Sequence, residues 1–298
     1  MNEPIEEIFD NAEDLNAYQE FCETQEFGSE PFDLDRPALI CRWRMAHKRV
    51  PLLNRHIRAL AQRQVNGEKI TRNLVSWAKQ HIEWSLAEGD YSERDGVLML
   101  VVDVNGNAAM SVGPYEPLAQ TSLLDLVLCA RQAEAERAEA GVAPEVLCMV
   151  AGSNLVIFQA KHAVVSGMLS LVEQLAATRG LTVHHRVLPA DQLDGLLADV
   201  KAVPASRAMQ DGSPSETLEL DTPAEAALLS HELLAVLLAQ LPADDSVADS
   251  GTTAPDRSQA SAWFLVSDEH GIVPAVNAHE PFITLCSEGL AALQARAR

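Results

Sequence analysis

Apolar positions along this chain change period several times, and each change marks an element. Ala38–Trp43 is a short apolar run that predicts a strand. Behind Pro51, a residue tolerated in a first helical turn, Leu52, Leu53, Ile57, Leu60 and Ala61 recur at helical spacing. Ile70, Leu74, Val75, Ala78, Ile82 and Leu86 form the stripe of a second helix, which ends at Gly89. Gly96–Val104 is then continuously apolar, and Asn105-Gly106 is a strong hairpin signal, with Ala108–Val112 as the return strand. The first 115 residues therefore read as an α+β unit.

Pro114 and Pro117 punctuate a connection, and residues 123–140 predict a long helix closed by Gly141. Strands are expected at Val146–Val150, Leu155–Phe158 and His162–Val165. A helix should follow from Ser166 to Gly180, then a strand over Leu181–Leu188 and a short helix over Asp191–Val200. Residues 203–221 and 242–260 are rich in Ser, Pro, Asp, Thr and Gly and read as loops. The apolar segment Ala224–Leu241 between them reads as a buried helix. Strands at Trp263–Val266 and Ile272–Val276 and a helix from about Thr284 close the chain.

Composition changes this picture in two places. The 298 residues carry 43 acids against 22 bases, a net charge of −21, which argues against nucleic-acid or anionic-membrane partners but leaves room for a local basic pocket. Twelve of the acids fall in residues 1–35 with no base among them. That segment, with Arg36, is expected to be a separate acidic arm, and the rest of the chain sits near −9. The N-terminus lacks the basic-then-apolar pattern of a signal peptide, and no apolar run reaches the ~18 residues of a membrane span. Five scattered cysteines fit free thiols, and a cytoplasmic location is expected.

The nine histidines lack zinc spacing, so no metal site is expected. His184 and His185 lie next to each other in a predicted strand and should face opposite ways. No dinucleotide, P-loop or nucleophile-elbow motif is present. Three weaker patterns remain. They are Leu53-Asn54-Arg55-His56-Ile57-Arg58-Ala59-Leu60, the run from Gly141 through Glu145 to Gly152-Ser153-Asn154, and Phe264-Leu265-Val266-Ser267 followed by Val273-Pro274-Ala275-Val276.

In order and spacing these three resemble the class IV aminotransferase family, the fold-type IV pyridoxal-phosphate enzymes. The family includes branched-chain and D-amino-acid aminotransferases and aminodeoxychorismate lyase. The resemblance spans about residues 38–298. It implies a mixed α+β, α/β architecture of two domains, here 37–115 and 116–298 with a loop-rich insertion at 203–260, flanking a cleft. It also implies a homodimer and a pyridoxal phosphate cofactor.

Three departures stand against that chemistry. The family's phosphate-binding arginine falls at Ala59, with Arg58 one residue early, about 100° around a helix. The Schiff-base lysine should lie near Ser122, and none of Lys48, Lys69, Lys79, Lys161 or Lys201 is there; Lys161 is the fallback. The acid expected shortly before Ser153-Asn154 has no match in Met149-Val150-Ala151-Gly152. Transamination needs the lysine both to hold the cofactor and to move a proton, so the leading expectation is a non-transaminating homologue that binds, regulates or supports. Any retained small-molecule pocket should involve Ser153, Asn154, Ser267 and Arg58 or Arg44. The alternatives are an active aminotransferase or lyase with a relocated lysine, and an unrelated cytoplasmic interaction protein.

Overall fold

The computed structural model describes residues 37–89, 91, 93–197, 202–204, 216–218, 232–240, 261–276 and 278–296, with Asn16 and Phe32 besides. The acidic arm, Lys201 and most of the 203–260 insertion lie outside these residues.

In the N-terminal half, β1 (Pro37–Met45), β4 (Gly96–Asp103) and β5 (Ala108–Pro114) form an antiparallel sheet in the order β1-β4-β5. Asn105-Gly106 makes the tight turn between β4 and β5, with Gly106 at φ +83°. Helices α1 (Leu53–Leu60) and α2 (Arg72–Glu88) belong to the same half. Strand alternation turns Leu39, Cys41, Trp43 and Met45 into a shared core with Leu98, Leu100 and Val102 and with the α2 stripe Leu74, Ala78, Ile82 and Leu86. Between the helices, Gln64–Val65 (β2) and Glu68–Lys69 (β3) pair around Asn66-Gly67. This small hairpin is too short to register as a hydrophobic period.

Ser122 caps α3 (Leu123–Ala140), and Gly141 at φ +68° ends it. A Cβ on Gly141 would come within 2.8 Å of the Ala38 carbonyl and 2.5 Å of Leu39, so glycine is required by both the turn and the close approach of β1. The C-terminal half is a five-stranded sheet in the order β12-β11-β6-β7-β8. Its strands are β6 (Glu145–Ala151), β7 (Asn154–Ile157), β8 (Thr182–His185), β11 (Ser261–Ser267) and β12 (Gly271–Pro274). Only β7 and β8 pair in parallel, joined through α4 (Gly167–Thr178).

Period-two alternation sends β6 and β11 side chains to two separate cores. Leu147, Met149, Trp263 and Leu265 face α3, Leu193 of α5 (Ala190–Leu197) and Leu233 and Leu237 of the helical residues 232–238. Cys148, Val150, Phe264 and Val266 face α4 and α6 (Pro281–Arg296). The sheet is thus sandwiched between helices, which explains why β6, β7 and β11 read as continuous apolar runs.

Three sequence expectations change. Residues 162–165 form a turn and extended connection into α4 rather than a strand. The region expected to be loop at 203–221 contains β10 (Glu216–Leu218) and all but the first residue of β9 (Ala202–Pro204), which pair antiparallel. Strand β8 stops at His185, and Arg186 hydrogen-bonds back to Ile157 at the end of β7.

Candidate functional site

The two halves meet along β1, whose outward-facing positions are Arg42 and Arg44. In an isolated hairpin these would point to water. Here they face the β11–β12 turn, Ser267-Asp268-Glu269-His270, and the backbone N–H of Arg44 donates to the Asp268 carbonyl at 2.9 Å. Arg42 bridges α3 and that turn: its Nη1 is 2.9 Å from Glu136 Oε1 and its Nε 2.9 Å from Glu269 Oε2. The Arg44 guanidinium stacks 3.3 Å above the Tyr115 ring, a cation–π contact, and Tyr115 leans on His270 at 5.8 Å between centroids.

Glu145, the first residue of β6, is buried beneath this network. Ser267 Oγ donates to its Oε1 at 3.3 Å and accepts the N–H groups of Glu269 and His270. Burial pushes the Glu145 carboxyl up to about 8; Arg42 opposes the shift, while Glu269 and Glu136 add to it. His270 is held below the usual histidine range, by burial first and by Arg42 and Arg44. Glu145, Glu269 and His270 place one ligand atom each within 4.8 Å of one another, a spacing a divalent cation can use. Arg42 already supplies the compensating positive charge at Glu269.

Next to this network lies a second buried arrangement. Asp268 Oδ1 accepts the N–H of Met168, in the first turn of α4, at 2.8 Å, and its Oδ2 lies 3.3 Å from His56 Nδ1. Burial by itself would raise the Asp268 carboxyl; the His56 ring, the Met168 N–H and the Ser166 hydroxyl outweigh it and hold the group below its usual value. His56 stacks on Trp43 at 5.1 Å, and a Cβ on Gly167 would collide with its ring at 2.4 Å. A helix N-terminus offers unpaired N–H groups and a partial positive charge, and it is a natural phosphate site. At α4 that place is taken by the chain's own carboxylate.

The residues singled out from sequence are distributed as follows. Ser267 and Arg44 come together at the junction. Ser153 and Asn154 turn the β6–β7 hairpin at the other end of the sheet. The β6–β11 register runs from Glu145 opposite Ser267 to Ala151 opposite Ser261, so the two ends are about 20 Å apart. Asn154 Oδ1 is 3.0 Å from His184 Nε2, and Ser153 is exposed. His185 turns the other way, to Glu173. Arg58 is exposed, its Nε donating to the Asn54 carbonyl of its own helix. Ala59 is buried, and it borders a void of about 10 Å³ together with Arg63, His56 and Asp268.

Ser122 closes a capping box with Asp125 at the exposed start of α3. The Thr121 carbonyl before it accepts the N–H of Val276, which places Ser122 at the Ser153 end of the sheet, away from the junction. Lys161 is exposed in the turn after β7. Lys48 Nζ donates to the Gly89 carbonyl, Lys69 is exposed in β3 and Lys79 lies half-buried on α2. Among the described residues, no lysine lines the cavities of about 710, 400 and 10 Å³.

Residues that fit pyridoxal phosphate would be an amine at a cavity and a vacant helix N-terminus for the phosphate. The described residues offer neither at the junction, so they do not fit the cofactor there.

Sequence reasoning gave no site role to Arg42, Arg63, Glu145, Asp268 or His270, although Glu145 stands in one of the three patterns. One signal for them was available: Asp268-Glu269-His270 is a charged triplet set directly between a buried strand and a tight glycine turn.

No family model matches the chain, and no curated protein does. Among solved structures it is similar to a 4-amino-4-deoxychorismate lyase from Pseudomonas aeruginosa, at 14% identity and TM-score 0.41, over 89% of this chain and 96% of that one. It is also similar to a fold IV transaminase from Curtobacterium pusillum, at 13% and 0.43 over 91% and 90%. A third is a hypothetical aminotransferase from Mycobacterium tuberculosis in a PLP-bound form, at 11% and 0.41 over 89% and 91%. The similarity to class IV aminotransferases and aminodeoxychorismate lyases is structural and covers about nine-tenths of the chain, at low identity.

Proposed function

We propose that this protein is a non-transaminating relative of the class IV aminotransferases, a binding protein that does not take up pyridoxal phosphate as an enzyme would. One observation carries the reading: the N-terminus of α4, the anion-binding feature nearest the junction, is filled by Asp268, which is itself paired with His56. A phosphate arriving there would have to expel a buried carboxylate whose charged form is favoured by three partners. The positions of the lysines support the same reading. At the place where the resemblance expects a Schiff-base lysine, Ser122 works as a helix cap. Thiol chemistry is not favoured either, because burial pushes Cys41 and Cys129 up to about 11 and Cys286 up to about 12.

The test is direct. The purified full-length chain is incubated with excess pyridoxal phosphate, treated with borohydride, desalted and digested for peptide mass spectrometry. The expected result is no stoichiometric cofactor absorbance and no single lysine peptide carrying a pyridoxyl group. Stoichiometric labelling of one lysine, Lys161 above all, together with amino-donor turnover, would overturn the proposal in favour of an active enzyme with a relocated amine.

A further inference from the structure

We infer that a groove on the opposite flank of the junction, walled by Gln62, Arg63, Gln64, Arg137, Gln159 and His162, binds a small hydroxylated anion: a carboxylate or phosphate ester that also carries an O–H group. Three separate connections build it. The α1–β2 turn gives Gln62 to Gln64, the end of α3 gives Arg137 and Gly141, and the β7–α4 connection gives Gln159 and His162 to Val164. Its volume of about 400 Å³ suits a small metabolite.

The charge of its walls is the first observation. In a chain of net charge −21, this lining contains two arginines and a histidine and no carboxylate. Arg63 is the fixed member. It is 8% exposed, and its Nη1 donates to the Gly141 carbonyl at 3.1 Å, which also offsets the negative end of the α3 dipole. Arg137 stands at the solvent edge, where it pairs with Glu134.

The second observation is independent of charge. Gln159, in the floor, is 4% exposed, and its Oε1 is buried with no hydrogen-bond partner among the described residues. The Val164 carbonyl, 3.4 Å from Nε2, fixes which end of the amide is nitrogen, so the unmatched atom is the acceptor. A buried acceptor without a donor is costly. A bare anion cannot serve it, whereas a hydroxyl can. Cationic walls and an unmet acceptor in one cavity together select a ligand with both an anionic and a donor group. This inference does not depend on the fate of pyridoxal phosphate at the junction.

Isothermal titration of the full chain at low ionic strength and about pH 8, where both phosphate esters are dianions, would test it, using L-malate and glycerol 3-phosphate beside succinate, methyl phosphate and glycerol. The expected result is saturable binding of malate, glycerol 3-phosphate or both, about tenfold tighter than the matching anion without the hydroxyl, and none of glycerol. Which of the two binds tells a carboxylate from a phosphate ligand. Gln159→Glu places a like charge in the floor and should abolish binding. Arg137→Gln, at an exposed position that leaves the fold intact, should weaken it about tenfold. The inference is overturned if none of the four anions binds saturably, if the anions without a hydroxyl bind as well as those with one, or if both variants bind like the wild type.

Discussion

Asp268 accepts the buried Met168 N–H, meets the Ser166 hydroxyl and lies 3.3 Å from the Nδ1 of the buried His56 ring. Replacing it with alanine removes one member of a buried charged arrangement and leaves the rest without a partner. Asp268→Ala is expected to cost about 3 to 5 kcal/mol in urea unfolding. His56→Ala should cost a comparable amount, and the double variant less than the sum, because the two changes break one interaction. Additive losses would show that the pair is not coupled. From sequence alone, Asp268 is one acid among 43, and only its position in space distinguishes it.

At the scale of elements, most of the regular structure was legible in the sequence. The α2 stripe, the β4–β5 hairpin with its Asn-Gly turn, and the α3 helix closed by Gly141 all fall where local periodicity places them. The reason is that each of them buries one continuous apolar face. The exceptions are short elements whose existence depends on a neighbour. The β2–β3 hairpin has no apolar period of its own, and residues 162–165 look strand-like but run as a turn and extended connection into α4.

Ser122 shows how one position can carry two readings. A family resemblance makes it the site of a missing lysine, while its hydroxyl and Asp125 form a reciprocal cap on α3. Ser122→Ala should therefore lower stability by about 1 kcal/mol in thermal or denaturant melts. Ser122→Asp, which can also cap, should recover most of it. An unchanged melt for the alanine variant would show that the cap contributes nothing.

For the whole molecule, the junction network makes stability depend on pH in a definite direction. The Glu145 carboxyl is raised from its ordinary 4.5 to about 8, by burial before any charge, with Arg42, Glu136, Glu269 and His270 around it. Its contribution is complete below the unfolded value and is lost as pH rises towards 8. His270 works from the other side: with its value lowered, it costs stability as pH falls through the ordinary histidine range. Chemical unfolding at a series of pH values should show stability falling between about pH 6.5 and 8, above the range where His270 acts in the opposite sense, and Glu145→Gln should flatten that fall. An identical slope in the variant would assign the dependence to other groups. Among the described residues, no helix is long and apolar enough to cross a membrane.

By itself, the sequence determined most of the longer elements and their order, because period and turn chemistry are local properties. It also left no lysine near Ser122, where the resemblance expects one, and that raised the doubt about transamination. Tertiary structure alone decided the site. It separated Ser153 and Asn154 from Ser267 by the length of a strand, turned Arg42 and Arg44 from a solvent face into a charged junction, and seated Asp268 on the N-terminus of a helix 100 residues away in sequence. The physical reason is that these interactions join groups whose partners lie in distant segments, and local patterning carries no record of which segments meet.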